Sequence, residues 1–510
     1  MPTTQGFFPF IRAGRANRVY LVTGLLLSIA SWWVFKQFYP NTHIVFDSYY
    51  YIFAALDNDP VHVWPIGYSR YLQLIGLISH SPNLVAASQY FFLQVTLLLF
   101  FFSMRFFFQL GKGASLVLFL FIWLNPIYLF TSNFILSDSL FMGISLLWLI
   151  NLLWIVFHPR PWMLVTQTLL LFLAFTIRQT ALVYPLIACV AILLSRQPRA
   201  FKIGGIVLPF LLVGGFIIYS IRMNDVMYGV KTFSPFQGWH AASNALYVYE
   251  HVPPEERQPM PAELRPLDTL VQAYYRSKHQ PIDITTPDPS SGCYYIFMYP
   301  SPLLIYEWRK FGLDRHFLIN PVTFAKLGPL YSAYGSFILR KYPFTYFQHF
   351  VLPNIYLYLY PYPEAYLDNI RSFNLSRDTL GVMARKWFGN NVSVAAPAGA
   401  IEFRSALFMH YQLVDTFTHL VFLLGFVAFI YFKGFRKLGQ PGARLLALLA
   451  ALWIIQFGFT VVAAASVFRF QLFITVVEFS LLAFFIEFLV NMESTTPPLT
   501  DGRADPDTFQ

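Results

Sequence analysis

The chain has 510 residues, 56% hydrophobic and only 12% charged, with a net charge of +10. A soluble domain carries about twice that charged fraction. Long apolar runs recur from end to end, so the composition excludes a soluble globular enzyme and points to a polytopic membrane protein. The basic excess needs no nucleic acid to explain it, because cytoplasmic loops of membrane proteins collect Lys and Arg.

In chain order, the first apolar run, from Val19 to Phe35, lacks a small-residue cleavage site and reads as a retained span rather than a signal peptide. Apolar length predicts ten spans, near 18–38, 84–108, 114–132, 137–157, 161–177, 179–195, 203–221, 411–432, 443–464 and 469–490. In lipid each must be a helix, because only then are all its backbone groups paired. The predicted architecture is an all-α polytopic bundle of about ten transmembrane helices, with amphipathic helices on the outer surface and a large outer loop region. Residues 1–221 form an N-terminal membrane module, 222–410 an outer region, 411–491 a C-terminal module of three spans, and 492–510 a disordered tail. Cys189 lies in an apolar run and Cys293 in a polar loop, so no disulfide and no thiolate zinc site is expected.

Basic residues set the expected orientation. Arg12, Arg15, Arg18, Arg105, Lys112, Arg160, Arg196, Arg199, Lys202, Lys433, Arg436, Lys437 and Arg444 all fall on one side of alternating spans, the expected cytoplasmic side. The opposite side then holds the segment 39–83, the turn around Ser137 and Asp138, and the loop 222–410. Within that loop the stretch YPFTYFQHFVLPNIYLYLYPYP, too broken by Pro to span, predicts a helix pressed on the outer membrane surface. A further pair of spans is the alternative.

The first outer segment holds three acids among aromatics. Asp47 opens DSYYYIFAAL, where an Asp suits a helix N-cap and equally suits accepting a proton from an acceptor. Asp57 and Asp59 lie in an Asp-Asn-Asp-Pro turn. Such acids usually bond their own backbone, although a D-x-D pair can also hold a divalent cation through hard oxygens. Arg70 follows on an amphipathic surface helix, able to reach a lipid phosphate or to snorkel to water. Ser137 and Asp138 read as a helix start, cap and dipole partner, at the depth where the first outer segment packs. Arg178 and Arg469 run against the cytoplasmic bias and have no acid nearby in sequence. A guanidinium at the lipid edge suits a phosphate, with snorkelling as the bland alternative. Glu478 lies deep in the last span and needs a partner that the sequence does not name; Glu487 lies near its cytoplasmic end and reads as simply exposed. No P-loop, dinucleotide fingerprint or H-E-x-x-H occurs, so nucleotide-driven chemistry has no support.

Taken together, these residues resemble the GT-C glycosyltransferases that use polyprenyl-phosphate-linked sugars, such as protein O-mannosyltransferases and lipid A aminoarabinose transferases. The likeness rests on Asp47 followed by Tyr49 to Tyr51, on Pro65, Gly67 and Tyr68, on Asn125 and Pro126 ahead of Ser137 and Asp138, on Arg178 with Gln179, and on Arg469 with Phe470. The resemblance implies a GT-C-like bundle in a bacterial inner membrane, with its active site facing the periplasm. It implies a polyprenyl-phosphate or diphosphate sugar donor and a lipid, glycan or protein acceptor. Asp47 would be the base or acceptor-binding acid, attack would invert the anomeric carbon, and Arg178 and Arg469, with Arg70, would meet the donor phosphate. Many relatives carry Asp-Glu in the first loop, whereas Ser48 follows Asp47 here, so a second acid must be Asp138, Asp57 or Asp59. Tyr49 and Tyr68 would line the acceptor side. No cofactor is expected and a divalent metal is not favoured, because arginine can neutralise a phosphate leaving group. A lipid-linked-sugar flippase and an O-antigen ligase or polymerase are the competing readings.

Overall fold

A computed structural model describes residues 6–277, 282, 284–285, 293–313, 320–362, 379–389 and 398–493. Most of the Pro-rich stretch QPIDITTPDPSSG and the expected tail from 494 onward lie outside the described residues. The described residues are helical apart from turns and one isolated parallel bridge between His43 and Phe134.

Among the described residues, eight helices are long and apolar enough to cross a membrane: Arg15–Phe38, Pro82–Phe108, Lys112–Ser132, Asp138–Phe157, Arg199–Tyr228, Met409–Tyr431, Gln440–Ala463 and Phe468–Val490. They coincide with eight of the ten expected spans. The other two fall on shorter apolar helices, Trp162–Ile177 and Gln179–Leu194. Sixteen residues of α-helix rise only about 24 Å, less than the roughly 30 Å of a hydrocarbon core. Their junction is the reason they are short. The first helix ends at Ile177, Arg178 is extended at φ −146° and ψ 130°, and a 3-10 turn over Gln179–Val183 restarts the chain.

Helix Asp138–Phe157 is buried along nearly its whole length and touches six neighbours: Pro82–Phe108, Ile127–Ser132, Trp162–Ile177, Tyr184–Leu194, Gln440–Ala463 and Phe468–Glu493. Its Trp148 stacks on Tyr184 with ring centroids 4.1 Å apart. The flanking helices Arg15–Phe38 and Arg199–Tyr228 instead expose apolar side chains such as Val22, Trp33, Leu211 and Ile218. A contiguous apolar surface of this extent has lipid as its natural solvent.

The region 222–410 is built around two helices, Pro235–Tyr249 and Pro321–Lys341, that lie backbone against backbone. A Cβ on Gly238 would sit 1.9 Å from the Gly328 carbonyl oxygen, and one on Gly335 would sit 2.4 Å from the Ala241 backbone. Trp239 stacks flat on Phe324, at 4.2 Å, and donates Nε1–H to the Phe324 carbonyl.

Three local expectations change. The aromatic stretch forms a helical run, Pro343–Tyr346, Phe347–Val351 and Leu352–Leu359, and its last part packs against the C-terminal helices. Asn354 donates to the carbonyls of Val461 and Ala464 at the end of helix Gln440–Ala463, and Tyr358 reaches the Glu478 carboxylate. The run therefore enters between the last helices. Glu487 is not simply exposed: its carboxylate accepts the Gly111 N–H at 2.7 and 3.0 Å, closing the N-terminus of helix Lys112–Trp123. Neither Asp47 nor Ser137 caps its helix through its side chain. The cap position before Phe46–Leu56 is Val45, whose N–H donates to Ser48 Oγ. Ser137 occupies the cap position before Asp138–Phe157 but pairs its hydroxyl with Tyr51 instead.

Candidate functional site

The residues that lead to the site are fixed by short backbone pairings. His43 donates to Asn133 O and accepts from Ile135 N–H, tying the segment before Asp47 to the turn before Asp138. Gln89, fully buried on helix Pro82–Phe108, donates to the carbonyls of Ser132 and Phe134 and so holds that turn from behind. The same Gln89 accepts from the Tyr68 hydroxyl, anchoring helix Gly67–Gly76 to the same support. That helix can approach only because residue 67 is glycine: a Cβ there would stand 2.7 Å from the Thr176 backbone, two residues before Arg178. Four segments distant in sequence are thus brought together at one end of the bundle.

At their meeting point two acids and two arginines alternate. Arg469 Nη2 donates to Asp47 Oδ2 at 2.8 Å, and its Nη1 lies 3.5 Å from Asp138 Oδ2. Arg178 Nη1 donates to the other Asp138 oxygen at 2.8 Å. The Asp138 side chain is only 2% exposed, whereas that of Asp47 is 22% exposed. Asp138 is therefore a buried bridge between both guanidiniums, and Asp47 is the acid that faces out. Both guanidiniums lie over the ring of Phe470, at 4.1 Å for Arg178 and 5.0 Å for Arg469. Such a ring attracts cations and keeps water from one face of each. Behind them the Tyr51 hydroxyl lies 3.2 Å from Ser137 Oγ, with its ring edge-on to Tyr68. Burial pushes the Tyr51 phenol up to about 12, so it stays protonated and can donate.

The other sequence candidates go elsewhere. Tyr49 packs against Ala384 and Ile44. Asp57 ends helix Phe46–Leu56, and Asn58 takes a left-handed φ of +53°. Asp59 turns inward, its N–H on the Ala54 carbonyl. Desolvation, then the neighbouring Asp57 carboxylate, pushes Asp59 up to about 6, against a lowering by Arg70. Arg70 does not join Arg178 and Arg469. It donates to Asn58, Gln73 and the Asp59 carbonyl, so a side chain expected to face phosphate fastens the turn instead. Asn125 accepts from the Ile127 N–H and donates to the Tyr411 hydroxyl. Among the described residues no group of three or more His, Cys, Asp or Glu is arranged to hold a metal ion.

The partner of Glu478, which sequence reasoning left open, is His419. Its Nδ1 lies 2.5 Å from Glu478 Oε2 inside the C-terminal helices, with Asp415 one turn before it. The signal was present in the sequence: Asp415 and His419 are spaced i, i+4 within an apolar span, and Gln471, Thr475 and Glu478 repeat at four and three.

No protein-family model, curated protein or solved structure matches the chain. What can be said of function therefore rests on the geometry.

Proposed function

We propose that this chain is an integral membrane glycosyltransferase of GT-C type. It would move a sugar from a polyprenyl-phosphate donor to a lipid, glycan or protein acceptor, in a bacterial inner membrane with the Asp47 end towards the periplasm. The observation that carries the reading is the convergence of Asp47, Asp138, Arg178 and Arg469 from four separate segments at one bundle end. A membrane protein has no packing reason to collect four charges there, and the two arginines suit a phosphate in charge and shape.

The charge count suggests the order of events. Two carboxylates and two guanidiniums balance one another. An incoming phosphate competes with Asp47, the more exposed acid, for Arg469, while Asp138 keeps both cations in place. Displaced from Arg469, Asp47 is free to take the proton of an acceptor hydroxyl. The acceptor oxygen then bonds to the anomeric carbon, and the bond from that carbon to the phosphate oxygen breaks. Its electron pair stays on the leaving lipid phosphate, where Arg178 and Arg469 offset the charge that develops. Attack from the side opposite the leaving group inverts the anomeric centre.

Binding of a polyprenyl-phosphate-linked sugar to the protein in nanodiscs tests this directly. Affinity should fall in both Arg178→Ala and Arg469→Ala. Unchanged affinity in both variants rejects the proposal. A second reading, a transporter of lipid-linked sugars, gains one specific observation: Asp415, His419 and Glu478 lie at membrane depth, where transporters place their ionisable groups. Sugar transfer to an acceptor separates the two readings, because a transporter leaves the donor's sugar–phosphate bond intact.

A further inference from the structure

We infer that Asp415, His419 and Glu478 form a proton-binding site inside the C-terminal helices, with one proton held between His419 and Glu478. The inference does not depend on sugar transfer. It rests on hydrogen-bond geometry. All three side chains are 1–2% exposed, and the described ion pairs give neither carboxylate a Lys or Arg.

The pattern of donors and acceptors assigns the protons. Gln471 lies between Ser466 Oγ, at 2.6 Å, and His419 Nε2, at 3.0 Å, with its Oε1 on the histidine, and Asp415 Oδ2 stands 3.6 Å from the same Nε2 with no other hydrogen-bond partner. Facing an amide oxygen and a buried carboxylate oxygen, both acceptors, His419 Nε2 carries hydrogen. Glu478 Oε1 is already used, accepting Trp453 Nε1–H at 2.6 Å and the Tyr358 hydroxyl at 3.3 Å. That leaves His419 Nδ1 facing Glu478 Oε2 at 2.5 Å. A bare imidazole nitrogen and an ionised carboxylate oxygen are both acceptors and repel at that distance. A proton between them turns repulsion into a short charge-assisted bond. Whichever atom is assigned the proton, the count is the same: one more than a neutral imidazole beside a carboxylate.

Asp415 supplies the second half of the site. Its Oδ1 accepts from Thr475, and its Oδ2, with no hydrogen-bond partner, stands 3.6 Å from His419 Nε2. Two phenols also face Asp415, Tyr411 from its own helix and Tyr128 from Lys112–Ser132. If the shared proton leaves, two buried carboxylates flank a neutral ring with no cation between them. Uncompensated buried charge of this kind costs several kcal/mol, so release requires water to enter or the helix to move. Helix Phe468–Glu493 also carries Arg469, two residues before Gln471, so the proton-binding cluster and the Asp47–Arg469 pair share one helix.

The test is nitrogen NMR of the full chain in nanodiscs, labelled at histidine ring nitrogens and assigned with His419→Gln. The expected result is that His419 shows hydrogen on both ring nitrogens, with one strongly downfield proton on Nδ1. In Glu478→Gln that downfield proton should be lost. If that variant fails to fold, Asp415→Asn should keep the downfield proton, since the proton is shared with Glu478. Hydrogen on only one ring nitrogen of His419 in the unmodified chain overturns the inference without recourse to any variant.

Discussion

Helix Phe468–Val490 carries Arg469 near one end and Glu478 in its middle, and the chain treats these two charges differently. Arg469 meets Asp47 and Asp138 at a partly open rim, where arginine opposes carboxylate and a phenylalanine ring backs both cations. Glu478 meets His419 in a sealed interior, where a shared proton does the work of a cation and Trp453, Tyr358 and Gln471 use up the remaining positions. The open cluster can exchange a partner for a ligand without unfolding anything. The closed cluster cannot lose a member without stranding a charge. The contrast teaches that burial, rather than the number of charges, separates a site built for exchange from one built to hold.

Variants can break that contrast at either end. Glu478→Ala should have the largest effect on stability. It removes one partner of a buried pair, worth about 3–5 kcal/mol, and should appear as a large drop in the melting temperature of the detergent-solubilised protein. A melting temperature like that of the unmodified chain would mean that the cluster is not sealed. Gly67→Ala should come next, at about 1–3 kcal/mol of overpacking, because the new methyl meets the Thr176 backbone. It should also weaken donor binding, since that contact sits two residues from Arg178. Asp47→Asn should cost no more than about 1 kcal/mol in stability, as expected of a partly exposed pair. A loss as large as that of Glu478→Ala would make Asp47 a structural group and erase the distinction.

The smallest effect concerns Asp59, outside both clusters. Its folded value of about 6 lies above the ordinary 3.8. The folded chain therefore binds more protons than the unfolded chain between those values, and stability falls as pH rises from about 4 to about 6. Above that window this contribution is constant. Melting temperature against pH should decline less steeply over this window in Asp59→Asn than in the unmodified chain, the remainder coming from Glu307, which burial raises to about 7.

Much of this was legible in the sequence because the strongest signals are local. Ten apolar segments were found, and eight return as helices long enough to cross a membrane. The other two are short because Arg178 interrupts them, and a polar residue at a helix junction looks the same in sequence as one at a span end. Asp47, Asp138, Arg178 and Arg469 were each singled out, but their pairing depends on the His43–Phe134 bridge and on Gln89, a long-range arrangement that no spacing encodes. The partners of Arg70 are hidden for the same reason: Asn58 and the Asp59 carbonyl lie across a turn whose left-handed Asn58 brings them within reach. Asp415 and His419 share a helical face, but that spacing within one span does not tell which acid of another span faces it, so the Glu478 partner is not legible in the sequence.

The central claim is that Asp47 accepts the proton of the attacking group. The most direct measurement is sugar transfer from a polyprenyl-phosphate-linked donor by Asp47→Asn in nanodiscs, beside donor binding by the same variant. Loss of a general base lowers rates by about 10²–10⁴-fold. Transfer should fall on that scale while donor binding is kept or strengthened, because Arg469 no longer has a carboxylate competing for it. Undiminished transfer by Asp47→Asn would contradict the account.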